Sequence, residues 1–542
     1  MIEALYKRRV VLLVLITLLA FALRFYRLDV AGLSEDETHK IDAVAAYQVG
    51  DYTANAEHPM LMKALSAVCV ITAERLDLPI SPESALRFPN VVFGSLTCLI
   101  LYLFFTELFN FRIGVLTALM WAINPQAILI NRVAKEDTLL VFFLWLGYYL
   151  ARRAKKTTES ESSAKISFWG SSGASFGLML ASKYFPHYFG LNFLYYHLVG
   201  PNKWNTPIKG KYVLLFFITM LVVFLIASPA VLMPGTISYM AQYSRTLTVT
   251  HHGYWMMGEL YQNDAAIPVP LTGLPIYFYL LALAIKTQLP LLLAFIIGII
   301  EIFRKRGEEE YFFLRFMLLV WIIPYSMFGA KWLRYILAFM PLVCATMAIG
   351  LSFSYDMLKT WWEKKPQTSI NTRLALISAI STVFLLVPTI IITTAAPFYS
   401  LYLNPLAGKN MVGYYFPHDE FYDLGLREAV EYVAQIAEPN AIIANEAESV
   451  IIYYSKQFNR PDIKSEMMSN PDFKFSDQVP TYVLLQDGRR YFENKKYFDL
   501  LETKYTPIRE IKVLGATAVK IYRVSNSQTN SPPIKNEIVT IQ

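Results

Sequence analysis

The sequence predicts a polytopic α-helical membrane protein with a small α/β domain at its C-terminal end. Hydrophobic residues make up 55% of the 542 and charged residues 17%, against about 25% charged in an ordinary soluble domain; mean hydropathy is +0.36. Apolar stretches recur as far as Thr394, each near the ~20 residues that cross a bilayer. From Pro397 onward charge rises and turn residues appear, as in a mixed α/β fold.

The apolar stretches read as about eleven transmembrane helices, with cores at 10–28, 88–106, 112–130, 138–151, 165–182, 184–200, 212–230, 287–303, 312–329, 333–352 and 373–394. The first follows Lys7-Arg8-Arg9 and lacks a small-x-small cleavage site, so it reads as an uncleaved span. Basic clusters at 7–9, 152–156, 203–211, 304–306 and 359–373 then share one face. The positive-inside bias makes that face cytoplasmic, together with the N-terminus. Parity retains the aromatic stretch 184–200, because without it two basic loops would fall on opposite faces. Residues 59–78 are apolar but carry Lys63 and Glu74, and read as an amphipathic helix on the outer surface.

This topology leaves two large outer loops, 29–87 and 231–286, and an outer C-terminal region. The chain divides into a transmembrane domain at 1–394, a soluble extracytoplasmic α/β domain at 395–525, and a Ser/Asn/Pro-rich tail at 526–542 expected to be disordered. Within the soluble domain, helices are expected at 423–437 and 491–503. Strands are expected at 441–444, 482–485, 508–513 and 518–522.

Composition and charge pattern exclude several function classes. The net charge of +7 is spread between apolar segments, which fits topology and not nucleic-acid binding. Cys69, Cys98 and Cys344 lie in apolar surroundings, with neither disulfide nor metal spacing. A divalent metal is compatible with the chemistry below, but no ligand spacing indicates one. His251-His252 are adjacent and point apart, and the Tyr and Trp of 253–261 read as interface anchors or a sugar-stacking surface. No glycine-rich phosphate cradle is present.

The outer face carries the candidate chemistry. The acidic pair Asp36-Glu37 follows the first span, and Arg132, Lys135, Lys183, Lys331 and Arg334 sit at outer span ends, where cations are under-represented. Lys286 joins them if the eighth span begins near Thr287 with Pro290 in its first turn. Carboxylates and cations beside a bilayer suit transfer of a sugar from a lipid phosphate to a hydroxyl. A carboxylate takes the acceptor proton, and cations stabilise the phosphate leaving group. A secondary transporter or lipid-sugar flippase is the alternative, since intramembrane charges also mark transport paths. No internal repeat relates two halves of the chain.

The order of motifs resembles GT-C fold glycosyltransferases, in the branch of dolichyl-phosphate-mannose protein mannosyltransferases and lipid A aminoarabinose transferase. Leu33-Ser-Glu-Asp-Glu-Thr-His39 is similar to that branch's acidic motif, and Glu57-His-Pro-Met-Leu-Met-Lys63 to its His-Pro-Pro-Leu segment, with Met60 at the second proline. Asn131-Arg-Val-Ala-Lys-Glu-Asp-Thr-Leu139 resembles its Arg…Asp motif and Ala181-Ser-Lys-Tyr184 its lysine motif. Lys286-Thr-Gln-Leu-Pro290 resembles Lys-Thr-Pro-Leu-Pro, with Gln288 at the usual proline; Lys331 to Pro341 and Pro397 to Gly408 resemble two later segments. The resemblance covers about residues 1–408.

It implies a catalytic carboxylate at Asp36 with Glu37 beside it, and Arg132, Lys183, Lys286 and Arg334 as donor phosphate-binding cations. Asp137 would orient Arg132 or hold its loop, and His58 and Lys63 would support the first outer loop. The donor would be a polyprenyl-phosphate-linked sugar, the acceptor a protein or glycolipid hydroxyl, and the outcome inversion by single displacement. Plainer roles stand beside these. Glu37 can cap the helix starting next to it, Glu35 is close enough to compete as base, and Asp137 can serve as an N-terminal helix charge.

Overall fold

A computed structural model describes residues 2–184, 190–191, 194–195, 199–200, 208–245, 250–264, 273–364, 369–476, 479–524 and 537–541. The membrane part begins with α1 (Ile2–Phe25), α2 (Glu35–Gln48), α3 (Met60–Arg75) and α4 (Pro82–Leu108). It continues through α5 (Phe111–Ile123), α6 (Pro125–Asn131), α7 (Asp137–Lys156), α8 (Ser162–Ser182), α9 (Gly210–Ala227) and α10 (Pro234–Arg245). After a hairpin of β1 (Thr250–Met256) and β2 (Glu259–Asp264) come α11 (Phe278–Lys286), α12 (Leu289–Arg304), α13 (Glu309–Met327), α14 (Met340–Glu363), α15 (Ile370–Ser381) and α16 (Val387–Ala395).

Among the described residues α4, α9, α13 and α14 are long and apolar enough to cross a membrane. The bent pair α5–α6 makes a fifth candidate, so the expected count of about eleven is not reached on length and composition. The other expected cores coincide with helices that are shorter, broken or more charged: α1, α7, α8, α12 and α15–α16. The expected span at 184–200 falls mostly outside the described residues.

Local sequence explains the boundaries that matter. The Ser81 hydroxyl accepts from the Ser84 amide at the start of α4, with Pro82 in the first turn. The 112–130 stretch is bent by 61° at Asn124-Pro125. Pro125 cannot continue α5, Asn124 is extended, and its side chain caps α6 through the Ala127 amide at 2.9 Å. The short α6 therefore delivers residues 132–136 sideways into the outer loops. Helices α12 and α14 approach backbone to backbone: a Cβ at Gly298 would collide with the Thr346 carbonyl, and one at Gly350 with the Ala294 carbonyl.

The C-terminal region adds α17 (Pro417–Phe421), α18 (Leu426–Ile436), β3 (Ile442–Ala444), α19 (Glu448–Gln457), β4 (Lys464–Glu466) and β5 (Thr481–Leu485). It ends with α20 (Lys495–Lys504), β6 (Arg509–Val513), β7 (Ala516–Val524) and β8 (Glu537–Ile541). The strands form one sheet of order β4-β3-β5-β7-β6-β8. Strand β3 runs parallel to β4 and β5, and β7 antiparallel to β5 and β6. The expected helices and strands of this region coincide with α18, α20, β3, β5, β6 and β7; α19 and β4 were not expected. The expected disordered tail needs correction at its end. Residues 537–541 pair parallel to β6, where the β-branched run Ile538-Val-Thr-Ile541 suits an edge strand.

The two parts are joined by buried contacts. The Leu33 amide donates to the Tyr454 hydroxyl at 2.6 Å, and that hydroxyl reaches Glu83 at 3.0 Å. Arg427 donates to the Asp29 and Val30 carbonyls at 3.0 and 2.8 Å. The soluble region thus clamps the segment between α1 and α2.

Candidate active site at the start of α2

Three consecutive carboxylates open α2, where the helix dipole favours negative charge. Successive helical residues point roughly 100° apart, so the three reach different surroundings. Glu35 faces the C-terminal region, where Arg489 Nη1 lies 2.5 Å from its Oε2. Glu37 points into the protein and is 1% exposed. It accepts from Arg87 at 2.7 and 2.8 Å, from the Ala134 amide at 2.8 Å and from the Ser34 amide at 3.0 Å. Its carboxylate is filled, and the capping alternative named for it describes its geometry better than direct chemistry does.

Asp36 points between these two and keeps its side chain 32% exposed. Lys135 Nζ lies 2.6 Å from Oδ1, while Arg334 Nη1 at 3.4 Å and the Tyr422 hydroxyl at 2.5 Å approach Oδ2. Burial alone would raise its pKa. Lys135, Arg334 and Lys40 outweigh burial and hold the carboxyl well below its usual range, so it is ionised at neutral pH. Burial pushes the Lys135 ammonium down to about 8 against the pull of Asp36.

Asp36 lines one cavity, and its partners Lys135, Arg334 and Tyr422 line a second. One, of about 430 Å³, is polar and is lined by Glu35, Asp36, Trp332, Arg334, His418, Tyr422, Asp423, Arg489 and Tyr491. The other, of about 350 Å³, has an apolar wall of Leu129, Ile130, Val133 and Leu333, with Lys135, Arg334, Asp419 and Tyr422 around it. Arg334 and Tyr422 belong to both.

The remaining expected site residues are engaged in ion pairs or with backbone carbonyls and do not touch Asp36. Lys183 Nζ sits 2.8 Å from Asp137 Oδ1, so Asp137 partners the lysine motif and not Arg132. Arg132 donates to the carbonyls of Arg24, Tyr26 and Arg27 at 2.8, 2.8 and 3.0 Å. It ties down the end of α1 and lines a further cavity with Pro397 to Ser400, which shares Leu129, Val133 and Tyr422 with the apolar one. Lys286 is fully buried against Glu420 at 2.8 Å and the Ser400 carbonyl at 3.0 Å, away from Asp36. Lys63 donates to the carbonyls of Ala54, Asn55 and His58 at 3.1, 2.5 and 2.9 Å, which ties together the loop between α2 and α3. The His58 ring is 4.0 Å from Glu136, which pairs with Lys40 at 2.9 Å. Lys331 donates to the Leu274 and Phe328 carbonyls at 2.8 and 2.5 Å. Among the described residues no group of three or more His, Cys, Asp or Glu converges in the manner of metal ligands.

Several residues at the centre had no assigned role in the sequence. Lys135 stood out only as one outer cation among several. Tyr422, Asp423 and Arg489 come from the C-terminal region, which the motif order does not reach. Their signal is the aromatic and acidic run Phe416-Pro-His-Asp-Glu-Phe-Tyr-Asp423. Arg489 is held by Asp423 at 3.0 and 2.6 Å, and the Asp423 carboxylate also accepts from the Glu35 amide at 3.0 Å.

Residues 75–232 match the family model described as dolichyl-phosphate-mannose-protein mannosyltransferase. No curated protein matches the chain. Among solved structures, ArnT from Cupriavidus metallidurans in the apo state is similar, at 13% identity and a TM-score of 0.56, over 96% of this chain and 98% of that one. The same protein bound to undecaprenyl phosphate gives 12%, 0.54, 96% and 99%. The archaeal oligosaccharyltransferase AglB from Archaeoglobus fulgidus, in complex with an inhibitory peptide and a dolichol-phosphate, gives 13% and 0.52, over 84% of this chain and 64% of that one. Identities this low speak for the fold alone: the chain is a helical membrane protein with a C-terminal sheet region, and it has the fold of ArnT.

Proposed function

We propose that the protein is a membrane glycosyltransferase that moves a sugar from a polyprenyl-phosphate donor to an acceptor hydroxyl, with Asp36 as general base. The observation that carries this reading is the position of Asp36. It is a partly exposed carboxylate that lines a polar cavity and touches Lys135 and Arg334, which also line an apolar one. The apolar cavity suits the prenyl end of the donor, and the polar cavity suits sugar and acceptor. The solved relatives in complex with undecaprenyl phosphate and dolichol-phosphate support a donor of this class.

The bond between the anomeric carbon and the phosphate oxygen breaks as the acceptor oxygen bonds to that carbon from the opposite face. The acceptor proton passes to Asp36 and the leaving phosphate keeps the electron pair. A single displacement of this kind inverts the anomeric centre. Lys135 and Arg334 take the place expected of the phosphate-binding cations, because of that set only Arg334 touches Asp36. A donor phosphate that draws these cations toward itself loosens their hold on Asp36, so its proton affinity rises when it is needed.

The site faces the extracytoplasmic side, with the N-terminus cytoplasmic, which the distribution of basic loops supports. The transporter reading is less well supported, because these charges gather at the helix ends and outer loops instead of the midplane. The test is transfer from a radiolabelled polyprenyl-phosphate sugar to candidate hydroxyl acceptors by purified protein. Wild type is expected to transfer and Asp36→Asn to fail. Equal transfer by the two would remove Asp36 from the mechanism.

A further inference from the structure

Asp36 receives only part of its surroundings from the membrane helices. Lys135 comes from the loop after α6 and Arg334 from the turn before α14, whereas the Tyr422 hydroxyl comes from the C-terminal region. Tyr422 and its neighbour Asp423 have φ of 44° and 66°. Two successive non-glycine residues in the left-handed region are uncommon, and such strain collects where side chains are held for function. Here the two residues aim their side chains at the acidic motif: Tyr422 at the Asp36 carboxylate, and Asp423 at the Glu35 amide. Arg489 fixes Asp423 from behind and also bonds Glu35.

An ionised carboxylate has about four lone-pair sites. Lys135 uses one on Oδ1, and Arg334 and Tyr422 use those on Oδ2. One direction on Oδ1 is left for an incoming hydroxyl. We infer that Tyr422 is a positioning residue for the Asp36 base, and that the C-terminal region thereby completes the active site of the transmembrane part. This rests on the proposed role of Asp36 and extends it to a residue outside the motifs of the membrane part. The hydroxyl fixes the plane of the carboxylate and, with Lys135, Arg334 and Lys40 as the other groups facing it, helps to keep it ionised.

The test compares Tyr422→Phe, which keeps the ring and removes only the hydroxyl, with Tyr453→Phe on α19, which removes a hydroxyl that accepts from Gln457. Each full-length protein is assayed for initial rates against polyprenyl-phosphate sugar across pH. Tyr422→Phe is expected to lower kcat about tenfold, as loss of a hydrogen bond to a charged group does, with the donor KM within about twofold. The acidic limb of kcat, which reports the donor-bound enzyme, is expected to move up by about one pH unit, because the carboxylate loses a donor that stabilises its anion. Tyr453→Phe is expected to match wild type in both readouts. If Asp36→Asn is inactive while Tyr422→Phe keeps wild-type kcat and an unshifted acidic limb, the role of Tyr422 is overturned and that of Asp36 stands. If Asp36→Asn stays active, the base assignment falls, and the inference falls with it.

Discussion

Asp36 and Glu37 are adjacent in sequence and differ in what surrounds their carboxylates. Glu37 is enclosed by Arg87 and two amides, so its removal acts on folding. Replacing Arg87 by Met would leave a buried carboxylate without its charge partner, a loss of roughly 3–5 kcal/mol. Chemical denaturation in detergent is expected to show that drop, whereas Asp36→Asn, at a partly exposed position, is expected to shift stability far less. Lys135→Ala and Arg334→Ala are each expected to weaken binding of polyprenyl phosphate about tenfold or more, as loss of a charge-assisted contact does. Binding to immobilised protein measures this. Lys286→Met is expected to leave that affinity near wild type and to lower stability, because Lys286 is paired with Glu420 in the core. The acidic pair was legible in the sequence as a candidate site, but the division of labour inside it was not. That division depends on which way each residue leaves the helix and on partners about fifty to several hundred positions away, such as Arg87, Lys135 and Tyr422.

At the scale of elements, long apolar helices and amphipathic patterns were readable because period and length are local properties. Helices α4, α9 and α13 lie at their expected positions, whereas the span expected at 333–352 is displaced to α14 at Met340–Glu363. The bend at Asn124-Pro125 had a local cause, yet its result, a loop of charged residues turned toward α2, is a matter of packing. The short helix α17 shows the limit most clearly. Its five residues, Pro417–Phe421, are too few for a periodic signal, yet they place Asp419 and lead into Tyr422. Asp419 accepts from the Tyr254 hydroxyl at 2.5 Å and the Leu333 amide at 3.1 Å, joining the hairpin to the turn before α14. Burial pushes its carboxyl from 3.8 up to about 6. The folded chain therefore holds this proton more tightly than the unfolded one. The stabilisation it gives is complete below pH 3.8 and is lost as pH rises through about 6. The stability of wild type relative to Asp419→Asn is expected to fall by about 3 kcal/mol over that window; a pH-independent relative stability would count against a raised Asp419.

At the scale of the molecule, the membrane helices and the C-terminal sheet region meet at the acidic loop. Arg427, Tyr454 and Arg489 grip residues 29–35, and Tyr422 reaches past them to Asp36. The sequence motifs follow the membrane part and end near Gly408, so the second half of the site was announced by no motif, only by the aromatic and acidic run from Phe416 to Asp423. In the proposed function, Asp36 is the base beside a polar cavity, and Lys135 and Arg334 hold it until they meet the donor phosphate. The most direct measurement is sugar transfer from a labelled polyprenyl-phosphate donor by wild-type protein and by Asp36→Asn, with donor binding followed in parallel. The account predicts that Asp36→Asn still binds the donor and transfers nothing measurable; transfer by Asp36→Asn at the wild-type rate would contradict it.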